Sequence, residues 1–359
     1  MPRKEKRPQR KRRRKRTAFW VICPKCGEAG FLRFRDGKPV IEHRNPKITA
    51  HMVSRYDSLE VIPYFDKPIP PTFIRYMGAD STILPFLLKI IPPHRCYVEV
   101  FGGSAKLLLA KPPSKVEVYN DIDGNLVNLF MVVSDEEKFN EFVRRMRWLL
   151  YSREIYFTFL KKMKNKEWKD DIDRAVMTFY CYNISYGGKW GGGFSAGPAT
   201  NQAQALFNII EKNLPLIHER LKRVYIERLD FRECIRKYDH EYTFFYLDPP
   251  HLFLTTETDN YYRLQERFSE EDFMDLLQLL KRAKGLWLLK HIYLPYLDDL
   301  VMKELEPYRF LLRFRRNIPS IGGDRETRPE PKRYHMVYSF YANYNIMRAG
   351  SGIVEKRSK

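Results

Sequence analysis

The sequence has no long apolar run and few cysteines. No stretch approaches the roughly 18 apolar residues that a membrane-spanning helix requires, and the arginine-rich beginning has no apolar core of the kind found in secretion signals. The five cysteines are scattered along the 359 residues and do not form the framework of a disulfide-stabilised secreted domain. These absences argue against a helical membrane protein and against a disulfide-rich secreted protein, so we expect a cytoplasmic protein with reduced thiols.

Negative charge is also in short supply. The chain carries 64 Lys and Arg against 44 Asp and Glu, which gives a formal charge of +20 at pH 7. About half of this excess lies in residues 1–16, which contain eleven basic residues and one acidic residue. Such runs are normally disordered, and they are also suited to binding phosphate groups. We predict a disordered basic tail over residues 1–18, a flexible basic tail over residues 346–359, and a polyanionic partner.

A small β module is predicted over residues 19–62. Cys23 and Cys26 form a C-x-x-C pair, and His43 and His51 follow after strand-like segments. Two thiolates and two imidazoles are a ligand set for a structural zinc ion in a ribbon. The usual second C-x-x-C pair is missing and the histidine spacing is irregular, so a β-hairpin with free thiols is the alternative.

The most distinctive stretch begins at Tyr242 and reads Y-T-F-F-Y-L-D-P-P-H. Its aromatic and aliphatic beginning predicts a strand that is buried on both faces of a parallel sheet. Two prolines cannot continue a central strand, so the chain must leave the sheet there. The residues predicted at this carboxyl edge, where open α/β sheets bind ligands, are Asp248, Pro249, Pro250 and His251.

These four residues suit chemistry on the exocyclic amine of a nucleobase. Such an amine is a poor nucleophile because its lone pair is delocalised into the ring. A carboxylate and an outward-facing proline carbonyl can accept its two N–H bonds and favour attack, and the ring after the prolines can stack on a base flipped out of the duplex. A plain strand-ending turn is the alternative, since short motifs have a real rate of false matches.

A strand, a glycine turn and the start of a helix are predicted over residues 97–110. Gly102, Gly103 and Ser104 form the turn, where a ligand can approach the backbone closely. The next predicted strand leads to Asp121, about twenty residues further on, where an acidic side chain can accept both hydroxyls of a ribose. A dinucleotide site would show G-x-G-x-x-G, which the chain lacks. We therefore predict a nucleoside-bearing ligand without a pyrophosphate, such as S-adenosylmethionine.

These motifs, in their order, resemble those of the Dam-type adenine-specific DNA methyltransferases. The resemblance rests on segments that read Y-M-G-A-D-S-T-I-L-P-F, Y-V-E-V-F-G-G-S, N-D-I-D-G-N-L-V-N-L-F and Y-L-D-P-P-H, and it covers about Phe73 to Asn343. Two positions depart from the family pattern. Asp80 stands where the family usually has lysine, and His251 stands where it has tyrosine.

The resemblance implies an α/β fold, a Rossmann-like methyltransferase sheet with an inserted, mainly helical target-recognition region. The methyltransferase domain would span residues 63–345 and the insertion residues 135–238. The resemblance also implies that Asp230 and Phe231 hold the adenine of the cofactor, although this pair could simply cap a helix with a buried ring. The full set of predicted cofactor-binding residues is Tyr76, Gly78, Glu99, Phe101, Gly102, Gly103, Ser104, Asp121, Asp123, Asp230 and Phe231.

Within the insertion, one segment places five glycines among aromatic residues and a lysine. This composition favours a loop that follows a nucleic-acid backbone, with Asn183, Lys189 and Trp190 as candidate contacts. A surface connector without a role is the alternative. Further along, a basic loop resembles a DNA-contacting loop of the family and supplies Ser320 and Arg325.

The predicted activity is transfer of a methyl group from S-adenosylmethionine to the N6 amine of a flipped adenine at a specific site in double-stranded DNA. No metal is needed for this step, because the leaving group is already charged. A degenerate methyltransferase that only binds DNA is the second hypothesis, supported by Asp80 and His251 and opposed by Asp248. Methylation of RNA or of a protein amide is the third, since charge alone does not separate RNA from DNA. We expect a monomer, with a cognate restriction nuclease as an optional partner.

Overall fold

The computed structural model describes residues 19–22, 29–35, 38–43, 51–52, 60–62, 73–76, 83–252, 268–317 and 333–349. The strands in this part of the chain form one sheet. They are β1 (Phe19–Ile22), β2 (Ala29–Arg35), β3 (Lys38–His43), β4 (His51–Met52), β5 (Glu60–Ile62), β6 (Cys96–Glu99), β7 (Val116–Asn120), β8 (Tyr225–Glu227), β9 (Thr243–Leu247), β10 (Leu286–Ile292), β11 (Tyr308–Asn317) and β12 (Arg333–Ala342).

The helices follow the same order along the chain. They are α1 (Leu84–Ile90), α2 (Lys106–Ala110), α3 (Gly124–Ser134), α4 (Glu136–Arg147), α5 (Arg153–Asn165), α6 (Asp171–Ile184), α7 (Gln202–Asn208), α8 (Leu214–Leu221), α9 (Phe231–Tyr238), α10 (Glu270–Arg282), α11 (Pro295–Leu305) and α12 (Ile346–Ala349). The helix α10 begins with a capping box, in which Ser269 and Asp272 each accept a hydrogen bond from the backbone of the other.

Seven strands form the centre of the molecule, in the order β8-β7-β6-β9-β10-β12-β11. All of them run in one direction except β12, which is antiparallel to both of its neighbours. The strand β9 lies between β6 and β10, and its five residues are all buried. The stretch that precedes Asp248 is therefore a central strand, as its apolar composition predicts.

Helices cover both faces of these central strands. On one face, Phe244, Tyr246 and Leu288 belong to a core that includes residues of α1 to α8. On the other face, Phe245 and Leu289 pack with α9, α10 and α11. Successive residues of β9 contribute to opposite faces because side chains alternate along a strand. This architecture confirms the predicted α/β fold, a mostly parallel methyltransferase sheet.

Along the chain, the helices α4 to α8 come after β7 and α3 and before β8. At their centre lies α6, whose residues from Ala175 to Ile184 are all buried against neighbouring helices. A helix that is apolar all round must lie inside a helical layer. The glycine-rich loop that follows α6 packs at Gly188 against the backbone of Arg75 and Tyr76, and the Tyr76 ring in turn lies beside Gly103.

The N-terminal strands extend the same sheet. The strand β5 pairs in parallel with β11, through Val61 and Leu312 among others, and β1 pairs with both β2 and β5. The described strands β1 and β5 are thus connected to the central strands by backbone pairing. Along the part of the chain that the structure describes, none of the helices combines the length and apolar character required to cross a membrane.

Candidate active site

The central strand β9 brings Asp248 to the carboxyl edge of the sheet. Leu247 is fully buried, whereas 23% of the Asp248 side chain is exposed. As the chain turns away, Pro249 is buried and both Pro250 and His251 are half-buried. The motif therefore ends the strand with a carboxylate that solvent can reach.

Lys290 lies beside Asp248 on the neighbouring strand β10. The parallel register pairs Leu289 with Leu247, and this brings the next residue of each strand to the same level. The Lys290 ammonium is 2.6 Å from Oδ2 of Asp248, and only 1% of the lysine side chain is exposed. The ion pair therefore joins the carboxylate to a buried cation on the neighbouring strand.

Three aromatic rings surround this ion pair. The Tyr338 ring lies with its centroid 4.8 Å from the Lys290 nitrogen, a cation–π contact. The His251 centroid is 6.1 Å from that of Tyr338 and 4.9 Å from that of His291, whose ring is nearly perpendicular. These residues form the carboxyl-edge cluster, which consists of Asp248, His251, Lys290, His291 and Tyr338.

His291, on β10, forms a hydrogen bond with the turn that follows Asp248. Its side chain is fully buried, Nε2 accepts a hydrogen bond from the Leu252 N–H at 3.3 Å, and Nδ1 donates to the Ile292 carbonyl at 2.8 Å. These two partners require a neutral ring with its proton on Nδ1. Burial lowers the pKa of His291 to about 4, and the Lys290 charge acts in the same direction.

His251 is neutral as well. Burial lowers the pKa of His251 well below its usual value, and His291 and Lys290 lower it further. Its Nδ1 atom is buried and has no hydrogen-bond partner within the described residues. A neutral imidazole here offers a flat face for stacking and one nitrogen for a hydrogen bond.

The glycine turn after β6 is packed tightly against β7. The Gly102 N–H donates to the Asn120 carbonyl at 2.7 Å, and Gly103 has a φ of +49°. A Cβ atom on Gly102 would lie 2.3 Å from the Tyr119 ring, whose hydroxyl donates to the Gly103 carbonyl at 2.9 Å. Ser104 is buried behind the turn. Since β6 pairs directly with β9, this turn and the methyltransferase motif share one edge of the sheet.

Asp121 follows β7 and closes the glycine turn. Its Oδ2 accepts from the Gly103 N–H at 2.7 Å, and its Oδ1 accepts from the Asp123 N–H at 2.8 Å. Burial, together with the neighbouring Asp123 carboxylate, raises the pKa of Asp121 to about 6. Asp123 in turn caps α3 by accepting from the Asn125 N–H at 2.8 Å. These predicted cofactor residues thus form one hydrogen-bonded unit.

Glu99 lies inside the protein, behind the glycine turn. Its side chain is 3% exposed, and Oε2 accepts from the Leu108 N–H of α2 at 3.2 Å and from the Tyr97 hydroxyl at 3.4 Å. The carboxylate therefore satisfies a backbone donor at the start of α2. A direct contact between Glu99 and the cofactor stays a prediction.

Asp230 and Phe231 follow β8 and begin α9. Asp230 accepts from the Arg232 N–H at 2.8 Å, so the helix-cap interpretation describes this local geometry. The buried Phe231 ring has the Arg232 guanidinium 4.3 Å from its centroid, and it lies 5.7 Å from the rings of Phe101 and Phe268. The three phenyl rings form an apolar group beside a half-exposed carboxylate.

The structure gives Asn183 an internal role in place of the DNA contact suggested by its sequence context. It is 1% exposed, and its amide nitrogen donates to the carbonyls of Phe73 at 3.3 Å and Phe179 at 3.1 Å. Its oxygen accepts from the Arg75 N–H at 3.3 Å. The buried helix α6 carries Asn183 into the core, where the amide holds the 73–76 segment.

Trp190 also packs inwards instead of presenting its ring for stacking. It is 8% exposed, and its ring lies 4.7 Å from that of Tyr182. The loop can fold back because Gly188 has no side chain, and a Cβ there would lie 2.7 Å from the backbone of Arg75. Lys189 remains half-exposed at the loop surface.

Tyr76 connects this loop to the glycine turn. Its ring lies 5.4 Å from that of Tyr182, and a Cβ on Gly103 would come within 3.1 Å of it. Tyr76 is therefore placed beside the predicted cofactor position.

Several predicted site residues cannot be placed. Gly78, Asp80, Ser320, Arg325, Cys23 and Cys26 lie outside the described residues, and His43 and His51 lie in strands whose side chains are not described. In the described part of the chain, no group of three His, Cys, Asp or Glu side chains is arranged to hold a metal ion. Zinc binding stays a prediction.

The sequence patterns did not single out Lys290, His291 or Tyr338. A signal was nevertheless present, since Lys290 and His291 follow the apolar run L-W-L-L. Polar residues at the carboxyl end of a buried parallel strand are candidates for a site. Tyr338 carries no comparable signal, because aromatic residues are ordinary within strands.

Residues 76–291 match the family model described as D12 class N6 adenine-specific DNA methyltransferase. A comparison with curated proteins gives no significant match. The matched region covers well over half of the chain, and it includes the glycine turn, Asp121, Asp248 and Lys290. The resemblance to the Dam-type enzymes is thereby confirmed. The chain belongs to the family of D12 class N6 adenine-specific DNA methyltransferases, which use S-adenosylmethionine to methylate the N6 amine of adenine in DNA.

Proposed function

We propose that Asp248 and the Pro249 carbonyl orient the N6 amine of a flipped adenine for methyl transfer. The observation that carries this proposal is the position of the Asp248 carboxylate. It is partly exposed at the end of the central strand, next to the strand that leads into the glycine turn. Two acceptors that bind the N–H hydrogens of N6 favour a geometry in which the N6 lone pair points out of the plane of the base, ready for attack on the methyl group.

The ends of the neighbouring strands fit a nucleoside with a sulfonium side chain. Gly102 and Gly103 form a tight turn without side-chain bulk, and Asp121 presents a carboxylate that suits ribose hydroxyls. The Phe231 ring and Asp230 offer an apolar face and an acceptor for an adenine. When bound, S-adenosylmethionine supplies an electrophilic methyl group on positively charged sulfur.

The carboxylate of Asp248 contributes electrostatic stabilisation to the transfer. It stabilises the positive charge that N6 acquires as the N6–carbon bond forms and the carbon–sulfur bond breaks. The carbon–sulfur bonding electrons stay with sulfur, and the proton that N6 gives up passes to solvent. The protein supplies no nucleophile of its own, so its contribution is positioning and charge stabilisation.

His251 is proposed to pack against the flipped base. The ring is neutral and half-buried, and its Nδ1 atom has no hydrogen-bond partner in the described part of the chain. Imidazole can occupy the place of the larger tyrosine ring of the family pattern and offer its face to the base.

We extend the proposal to site-specific binding of double-stranded DNA. Lys189 is half-exposed on the loop after α6, and Ser320 and Arg325 are further contacts predicted from the sequence. The strong positive charge supports contacts with phosphates along the duplex.

The cellular location, the oligomeric state and a partner protein are part of the same proposal. The chain would act as a cytoplasmic monomer, with a cognate restriction nuclease as an optional partner. Support for a reducing compartment comes from Cys96, Cys181 and Cys234, which are buried free thiols.

The test is the Asp248→Ala variant, assayed with labelled cofactor and duplex DNA followed by analysis of the modified nucleoside. We expect methylation of adenine N6 to fall roughly 100-fold or more, because the variant lacks the acceptor for N6. Binding of cofactor and DNA should persist. The matched control is Asp299→Ala, which removes an exposed carboxylate on α11. Wild-type activity in Asp248→Ala would remove the assignment.

A further inference from the structure

Lys290 occupies a position where an apolar residue would be expected. It follows Leu286, Trp287, Leu288 and Leu289 on β10, and 1% of its side chain is exposed. Burying an ammonium costs free energy unless it is paired, and a buried ion pair is often no more stabilising than apolar residues of similar size. Packing alone therefore gives no reason for a lysine here, whereas a role beside Asp248 does.

The ion pair controls the direction of the Asp248 carboxylate. A charge-assisted hydrogen bond of 2.6 Å to Oδ2 restrains rotation of the carboxylate about its Cβ–Cγ bond. The strand register that pairs Leu289 with Leu247 sets Lys290 level with the acid. The contact is thus built into two paired strands, which hold both side chains more firmly than surface loops would.

The surroundings direct the lysine charge towards this acid. The Tyr338 ring lies 4.8 Å from the lysine nitrogen. His251 and His291, the titratable rings that face the pair, are both neutral because burial lowers their pKa values. No imidazolium therefore competes with Lys290 for the Asp248 carboxylate at neutral pH.

We propose that Lys290 is a positioning residue for methyl transfer, whose ammonium holds the Asp248 carboxylate turned so that it presents an acceptor to adenine N6. The inference rests on the function proposed for Asp248. Lysine has three donors and no acceptor, so the group at position 248 must turn an acceptor towards it. Both oxygens of a carboxylate are acceptors, so the orientation that satisfies Lys290 also suits N6.

An amide at position 248 gives a distinctive test. In Asp248→Asn, Lys290 attracts the amide oxygen and turns the NH₂ group towards N6, whose hydrogens need acceptors. We expect kcat to fall roughly 10- to 100-fold. Adding Lys290→Met releases the amide, which can then turn its oxygen towards N6. The double variant should therefore have a higher kcat than Asp248→Asn alone.

The single lysine variants complete this double-mutant cycle. Lys290→Met in the otherwise unchanged protein should lower kcat roughly 10- to 100-fold and leave the KM for S-adenosylmethionine nearly unchanged. Lys290→Arg should recover part of the loss because it restores a cation. The matched control is Lys281→Met, which removes an exposed lysine whose surface ion pair with Glu304 has an N–O distance of 3.6 Å.

Two outcomes would overturn the role of Lys290. One is a wild-type kcat in Lys290→Met, and the other is a double variant whose loss is the product of the two single losses. If Asp248→Ala also keeps full activity, the proposed function itself fails; if Asp248→Ala is inactive, only the role of Lys290 fails. If Lys290→Met does not fold, the kcat values of the double variant and of Lys290→Arg are compared with that of Asp248→Asn instead. Neither of these two variants leaves a buried charge unpaired, so both are expected to fold.

Discussion

At the scale of single residues, the acids near the carboxyl edge differ in what holds them. Asp248 pairs with the buried ammonium of Lys290, Asp121 accepts from two backbone N–H groups, and Glu99 accepts from the start of α2. Their environments, and not their chemistry, separate the acid proposed to meet the base from the acid proposed to bind a ribose and from the acid that satisfies a backbone donor.

Asp121 should make cofactor binding depend on pH. Its pKa is raised to about 6, so the carboxylate is ionised above that pH and protonated below it. A proton converts one acceptor into a donor, and ribose hydroxyls then lose an acceptor. The dissociation constant for S-adenosylmethionine should rise about tenfold for each pH unit below about pH 6. Calorimetric titration between about pH 5 and pH 8 measures this.

The control for this prediction is Asp121→Asn, which should bind more weakly at every pH and show no such rise. His291 does not interfere, because its pKa of about 4 keeps it neutral over the range. A wild-type dissociation constant that stays flat below about pH 6 would contradict the role given to Asp121.

At the scale of elements, the candidate site lies at the carboxyl ends of the strands β6, β7 and β9. The glycine turn after β6 shows how closely these strand ends pack. Tyr119 is fully buried and stacks on Phe130 with centroids 3.9 Å apart, so it cannot move aside for a new atom. The absence of a side chain at Gly102 is thus a requirement of packing between two strands, besides any need of a ligand.

Gly102→Ala should destabilise the protein and weaken cofactor binding. The new Cβ would lie 2.3 Å from the Tyr119 ring and 2.8 Å from the Asn120 carbonyl oxygen. Overpacking of this kind lowers the free energy of unfolding by about 1–3 kcal/mol. Chemical denaturation and cofactor titration measure the two effects. Gly197→Ala is the control, because a Cβ there meets no atom within 4 Å; equal stability of the two variants would refute the packing argument.

At the scale of the whole molecule, the positive charge and the extended sheet bear on DNA binding. The N-terminal strands lengthen the sheet beyond β11, and residues 1–16 precede them with eleven basic side chains. Phosphate contacts by such a segment release counterions, so its contribution to affinity depends on salt.

Deletion of residues 1–16 should make DNA affinity less sensitive to salt. The slope of log Kd against log salt should become shallower, by about 0.9 for each phosphate contact that is lost. Titration of labelled duplex DNA at several salt concentrations measures the slope, with cofactor affinity as the control for an intact fold. An unchanged slope would show that the tail makes no phosphate contacts.

The sequence by itself determined the class of fold, the family and the linear parts of the site. The run before Asp248 had to be a central strand because it is apolar on both faces, and the turn at Gly102 followed from a glycine pair between a predicted strand and a predicted helix. Only the tertiary structure decided that Lys290 meets Asp248 and that Asn183 is buried. The reason is physical: strand register and helix burial arise from contacts between residues far apart in the chain, which local patterns do not encode.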